Sequence, residues 1–255
     1  SGANGILDRE AKKILQDRFI IIDTLKREIQ PFEDAKAMRS LKIAIERITF
    51  HHPRCQVIIH THSSKAGILV RLAADFFPKC KVIHSIHGFS FHQYQKLYKQ
   101  KLYQIFERIV SQQTDFFITV SQANRKEGID LGLFQQNNSM VIRSGINVAS
   151  YRFHKESGTA YRKKIGANQD TLIIGTIACL KPQKQPQTFI KLAAKILSRY
   201  PSSLFLLAGD GELQQECEQL IEEYQIKDKC IILGWEFDIP SFLSALDIFV
   251  LTSKF

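Results

Sequence analysis

The chain predicts an α/β protein of two Rossmann-like, doubly wound parallel-sheet domains facing a cleft. Three observations lead there. Short β-branched or aromatic runs alternate with helical apolar spacing from one end to the other, which is the pattern of parallel sheets covered by helices. The strand-like runs of the second half are almost continuously apolar, as strands buried on both faces are. The rhythm breaks once, between Gly145 and Asp170, where a polar, basic stretch separates two strand-helix series. That break sets the expected domains at 1–150 and 151–255.

In the first half, an opening helix is expected over Ile6–Lys13 and a strand over Phe19–Asp23. Further strands are expected over Gln56–His62, Lys81–Gly88, Phe116–Val120 and Ser139–Arg143. Apolar positions from Ala35 to Ile48, and those of Lys65–Phe77 and Gln93–Val110, recur at helical spacing and supply the covering helices. In the second half the expected strands are Leu172–Ala178, Ser203–Gly209, Cys230–Trp235 and Asp247–Ser253. Helices are expected over Gln187–Arg199 and Glu212–Tyr224.

Bulk composition narrows the function classes. Hydrophobic residues make up 44% and charged residues 24% of 255 residues, as in ordinary globular chains. No apolar run approaches the roughly 18–20 residues of a membrane span, and the first residues do not read as a signal peptide. Five cysteines, Cys55, Cys80, Cys179, Cys217 and Cys230, are widely spaced and contain no Cys-x-x-Cys pair. Neither a disulfide framework nor a zinc site is expected, and a cytoplasmic setting fits. The net charge of +10 is lopsided, because residues 1–150 hold 22 Lys and Arg against 13 Asp and Glu. A basic half suits an anionic lipid surface, an acidic substrate or nucleic acid. Aromatic residues are not interleaved with the basic ones as in nucleic-acid modules, so no nucleic-acid partner is expected.

Four segments could carry chemistry. After the second strand, His62, Ser63, Ser64 and Lys65 open a helix, with both serines as N-cap candidates. This segment reads equally as an anion or sugar-acceptor site and as an ordinary capped turn. At the end of the third strand, His87 and Gly88 put an imidazole where it can hold a sugar hydroxyl or phosphate, while His84 is expected inside the strand. His60 and His62 share a strand face, but no Asp, Glu or Cys lies at ligand spacing, so no metal is expected. In the second half, Lys181 and Lys184 flank Pro182 in a strand-to-helix turn that can reach a diphosphate, although loop lysines are usually only solvated. Last, Gly209-Asp-Gly-Glu-Leu213 is too short for a dinucleotide fingerprint. Its glycine pair permits close ligand approach, whereas Asp210 and Glu212 also suit simple helix capping.

Taken in order, the segments resemble the retaining glycosyltransferases of the GT-B fold, specifically glycosyltransferase family 4 of the bacterial surface-polysaccharide type. Residues 25–34, 60–67 and 87–92 look like the acceptor-side half, and 119–123 and 142–147 like its last strands. Residues 180–184, 208–213, 233–235 and 247–253 match the donor side. The resemblance implies transfer of sugar from a nucleotide-sugar, a UDP-sugar by expectation, to a lipid-linked or saccharide acceptor, with retention. The nucleotide-sugar is a substrate, and no cofactor is implied. Lys184 matches the lysine that steadies the donor diphosphate, and His87 the histidine at the donor sugar, the expected catalytic residue. Gly234 and Trp235 would lie near the base, Gly211 and Glu212 near the sugar-phosphate, with Lys181 assisting. His62, Ser63 and Lys65 would serve the acceptor.

Three departures accompany the resemblance. The family's second donor cation aligns with Cys179. Its first glycine-rich turn would precede Ser1, and its Glu-Gly-Leu-Pro segment would follow Phe255. The expectation is therefore a piece cut at both ends and inactive or nearly so, peripheral on the cytoplasmic leaflet. The alternatives are a non-catalytic nucleotide-sugar-binding fragment and a sugar-nucleotide epimerase of the same fold.

Overall fold

The computed structural model describes the chain except Ser1, Ala3, Asn4, Ile6, Arg27, Glu28, His92, Gln93, Tyr94 and Phe255. The expectations for His92, and for helix starts at Ile6 and Gln93, lie outside the described residues. The chain divides into two compact units, Ser1–Gly145 and Ile146–Phe255. The single turn of 3-10 helix at Val148–Tyr151 thus belongs to the second unit, where it meets that unit's last helix.

The first unit runs α1 (Asp8–Leu15), α2 (Pro31–His51), β1 (Val57–His62), α3 (Ser64–Ala74), β2 (Cys80–Ile86), α4 (Leu97–Ser111), β3 (Phe116–Thr119), α5 (Gln122–Asp130) and β4 (Ser139–Val141). Its four strands lie in the order β1-β2-β3-β4, all parallel. Helices α2 and α3 close a core of Ile45, Ala73, Ala74, Cys80 and Val82. A second cluster joins Ile86, Phe91, Phe117, Leu133 and Phe134. One expected strand is absent: Phe19–Asp23 forms no ladder. Of its three isoleucines only Ile22 is buried, and a turn in which the Leu25 amide donates to the Ile22 carbonyl (2.9 Å) follows at once. An apolar run alone does not make a strand, which also requires a ladder with a neighbouring strand.

The second unit runs α6 (Lys155–Lys164), β5 (Ile173–Ile177), α7 (Pro186–Leu197), β6 (Leu204–Ala208), α8 (Gln214–Glu223), β7 (Cys230–Gly234), α9 (Ile239–Ala245) and β8 (Ile248–Phe249). Its parallel sheet has the order β7-β6-β5-β8. Alternation along the strands divides two cores. Ile174, Phe205 and Leu207 meet Phe189, Ile190 and Cys217 on one face, while Ile173, Leu206 and Ala208 meet Tyr161, Phe242 and Ala245 on the other. Helices therefore cover both faces, and the sheet is doubly wound. Strand β8 is much shorter than the expected Asp247–Ser253 because it borders the sheet and pairs only with β5.

Candidate functional site

In a parallel sheet of order β7-β6-β5-β8, the connections leave β5 in opposite directions. The crevice at the carboxyl ends of β5 and β8 is the topological switch point, where ligands bind in such sheets. The loop there, Ala178–Gln185, carries Lys181 and Lys184. It is fixed by the chain that continues β8: the Thr252 hydroxyl lies 3.0 Å from the carbonyl oxygens of both Lys184 and Gln185, to which it donates. The Lys254 amide donates to the Gln183 carbonyl at 2.8 Å. Gln185, with φ 50°, is left-handed and turns the chain into Pro186, the first residue of α7. The positive end of the dipole of a twelve-residue helix thus lies beside a half-buried lysine, an arrangement that favours an anion.

Besides the close ligand approach expected of it, the glycine loop has a packing role. A Cβ on Gly209 (φ +133°) would lie 2.0 Å from the Ala178 carbonyl oxygen, and one on Gly211 (φ +153°) 2.6 Å from that of Leu180. The glycines let two loops meet backbone to backbone. The Leu180 amide donates to Asp210 O (2.7 Å), the Leu213 amide to Leu180 O (2.9 Å), and the Gly209 amide to Gly234 O (2.7 Å). Three loops at one end of the sheet are thereby stitched into one surface. The capping expectation fails, since α8 has no side-chain cap. Asp210 instead accepts from the indole N–H of Trp235 at 2.5 Å. Glu212 sits exposed in the turn before α8.

That hydrogen bond fixes an exposed aromatic surface. Trp235 and Phe237 stack with ring centroids 6.2 Å apart, and both are more than half exposed. Large flat rings held open to solvent at the end of β7 suit the face of a heterocycle. Below them, Glu236 accepts from the Tyr161 hydroxyl. Burial, then this bond, push the tyrosine's pKa far up, so it remains a donor.

In the first unit, the ends of β1 and β2 assemble histidines. Nδ1 of His62 lies 3.0 Å from Nε2 of His87, and the rings of His60 and His62 are 4.3 Å apart. Burial first, then His60 and His87, lower the pKa of His62. One ring donates a proton and the other accepts it, leaving His87's second nitrogen for a ligand. His84 is buried, bonded through Nδ1 to Thr61 Oγ1 at 2.7 Å. The serine caps are not made: Ser63, at φ 60° with no side-chain capping bond, is N-cap residue of α3 by its carbonyl alone, and Ser64 begins the helix. Lys65 is committed to Asp34 of α2 at 2.5 Å, with both side chains largely covered, so its charge is spent within the fold.

Several of these partners carry no local signature. Thr252, Asp210 with Trp235, and Asp34 with Lys65 become neighbours only once the sheets form. Asp34, in the first turn of a helix that starts with Pro31, reads in sequence as a charge favouring a helix start. Among the described residues, no group of three His, Cys, Asp or Glu could hold a metal.

The second unit is doubly wound, with its candidate site at the switch point of the sheet, and comparison with known proteins bears on the family and the fold. Residues 9–150 match the model for Glycosyltransferase Family 4, and residues 158–255 that for Glycosyl transferases group 1. The chain belongs to glycosyltransferase family 4. It is 29% identical over 239 residues to the UDP-Gal:alpha-D-GlcNAc-diphosphoundecaprenol alpha-1,3-galactosyltransferase of Escherichia coli, covering 92% of this chain and 60% of that protein. It is 27% identical to the putative glycosyltransferase EpsD of Bacillus subtilis over 77% of this chain and 52% of the relative. The chain thus spans between half and two thirds of these relatives' lengths. Anabaena HepE, solved in complex with UDP and glucose, superposes with a TM-score of 0.72 at 19% identity, covering 99% of this chain and 66% of that one. The fold is that of the GT-B glycosyltransferases.

Proposed function

We propose that the protein is a glycosyltransferase that uses a nucleotide-sugar, a UDP-sugar in the first instance, and transfers the sugar with retention to a lipid-linked or saccharide acceptor. The observation that carries the reading is the switch-point loop pinned by Thr252, with Lys184 at the amino end of α7. Lys184 holds the donor diphosphate and offsets the charge that grows on it as the sugar leaves. The Trp235–Phe237 surface receives the base, and the tied loops around Gly211 and Glu212 border the sugar-phosphate, with Lys181 beside them. His87, oriented by His62, holds a sugar hydroxyl, and Ser63 lies on the acceptor side. Lys65, paired with Asp34, stands at the start of the helix that follows Ser63. No cofactor or metal enters the scheme. Two names support the donor and acceptor classes: the Escherichia coli relative is named for UDP-Gal and a diphosphoundecaprenol acceptor, and HepE was solved with UDP. The reaction is placed at the cytoplasmic leaflet, where such an acceptor is reached.

The test is transfer from labelled UDP-sugars to a polyprenyl-diphosphate-linked acceptor, with the product anomer read by NMR. Any product formed should retain the configuration, and Lys184→Ala should weaken UDP binding by about 10–100-fold, the worth of one charge-assisted contact. Saturable UDP-sugar binding without transfer would favour a binding role. Epimerised sugar without acceptor would favour an epimerase.

A further inference from the structure

Helix α4 is rotated opposite to the usual rule. Its inward face carries Glu107, 6% exposed, whose carboxylate accepts from the guanidinium of Arg71 (0% exposed) on α3 at 2.8 Å. Arg71 Nε also donates to Gly67 O at 3.1 Å, so the pair joins α4 to the middle of α3. Packed inward beside Glu107 are Val110 and the half-buried Tyr103. Tyr98, Leu102, Ile105, Phe106 and Ile109 are left outside, each between 43% and 63% exposed. Counted from Tyr98 they fall at i, i+4, i+7, i+8 and i+11, a single stripe along a helix of 15 residues.

An apolar stripe of about three turns facing water is not a stable end in itself. The buried ion pair fixes the rotation, because turning the stripe inward would separate Arg71 from Glu107 and leave a buried charge unpaired. The borders of the stripe identify its occupant. At 100° per residue, Lys101 and Arg108 lie along one border and Lys99 along the other, all exposed, with Lys96 at the helix start. The only acidic residue of α4, Glu107, is turned inward. An apolar face bordered by cations matches the layered chemistry of an anionic lipid surface, with headgroup phosphates above and acyl chains below. A protein partner would require neither cations on both borders nor the absence of outward acids.

We infer that α4 lies flat in the interface of anionic lipid, its apolar stripe in the acyl boundary and Lys99, Lys101 and Arg108 at the headgroups. The inference deepens the lipid-acceptor reading above by naming the surface that meets the membrane, but its test needs no turnover. Each cation contributes about fivefold to partitioning.

Vesicle flotation of the protein compares phosphatidylcholine alone with phosphatidylcholine plus phosphatidylglycerol. Binding is expected only to the anionic vesicles and should weaken with salt. Lys99→Gln with Lys101→Gln should lower partitioning by roughly 25-fold, and Leu102→Glu with Ile109→Glu should abolish it, with unchanged melting temperature and UDP binding. Ile43→Glu on α2, also exposed, should change nothing. Equal binding to both vesicle types, or full binding by the Leu102→Glu/Ile109→Glu variant, would overturn the inference. So would a lipid-free dimer that this variant converts to monomer, since the stripe would then be an interface between copies. Loss of UDP binding in Lys184→Ala with intact vesicle binding would separate the donor reading from this one.

Discussion

Replacing Gly209 by alanine tests whether the glycine loop serves the fold or the ligand. At φ +133° any side chain costs about 1–3 kcal/mol in backbone strain. The new Cβ would also sit 2.0 Å from the Ala178 carbonyl oxygen and 2.9 Å from its carbonyl carbon. Both are backbone atoms of a loop pinned elsewhere, so the two loops must separate by about 1.5 Å to reach ordinary contact distance. That movement stretches the bonds from the Ala178 amide to Ala208 O (3.0 Å) and from the Leu180 amide to Asp210 O (2.7 Å). At about 1 kcal/mol each, these bring the total to about 3–5 kcal/mol. Gly234 is the internal control: its φ of +69° is equally left-handed, but nothing lies within 4 Å of its Cβ position. Gly234→Ala should therefore cost only the strain, about 1–2 kcal/mol. In thermal melts, Gly209→Ala should lose roughly 15 °C and Gly234→Ala roughly a third of that. UDP affinity should fall in the first variant because the Lys184 loop moves. Equal losses in the two variants would refute the loop-on-loop argument.

Two further outcomes are expected. Thr252→Val keeps the shape but leaves the Lys184 and Gln185 carbonyls without their donor; it should cost about 1–2 kcal/mol in denaturant melts and weaken UDP binding several-fold, and unchanged UDP binding would detach Thr252 from the site. His84 is held down to about 3 by burial and then by Arg71, His62 and His60. Its folded pKa is depressed, so the unfolded chain takes up the proton first. Stability should be full above pH 6.5 and fall by about 1.4 kcal/mol per pH unit towards pH 3, and His84→Gln should remove that slope from the wild-type profile of unfolding midpoint against pH.

The second unit was readable because its strands are buried on both faces, so Leu172–Ala178 and Ser203–Gly209 announce themselves by continuous apolar runs that the sheet confirms. The same signal misled at Phe19–Asp23, where apolar residues exist but no strand ladder forms. Loop positions of Lys181, Lys184 and Trp235 at strand ends could be read from strand ends alone, since chain order fixes which end a loop occupies. What those residues touch could not. Gly209 and Gly211 look permissive in sequence, yet the atoms that require them belong to Ala178 and Leu180. Lys65 looks like a free cation until α2 brings Asp34 against it. The rotation of α4 was equally hidden, because periodicity gives a helix its apolar face but not which way that face turns. Arg71 and Glu107 decide it.

The pin at Thr252 has a consequence for the order in which the second unit matures. The residues it holds, Lys184 and Gln185, lie 68 and 67 positions earlier in the chain. A nascent chain that has completed β5, β6 and β7 already holds three neighbouring strands and most of their covering helices. The turn bearing Lys184 then still lacks its far anchor, and β5 still has an open edge. Long-range closures of this kind form late, after the entropy of the intervening chain has been overcome. During synthesis, the fixed geometry of the Lys184 turn should consequently emerge well after the secondary structure and much of the core around it.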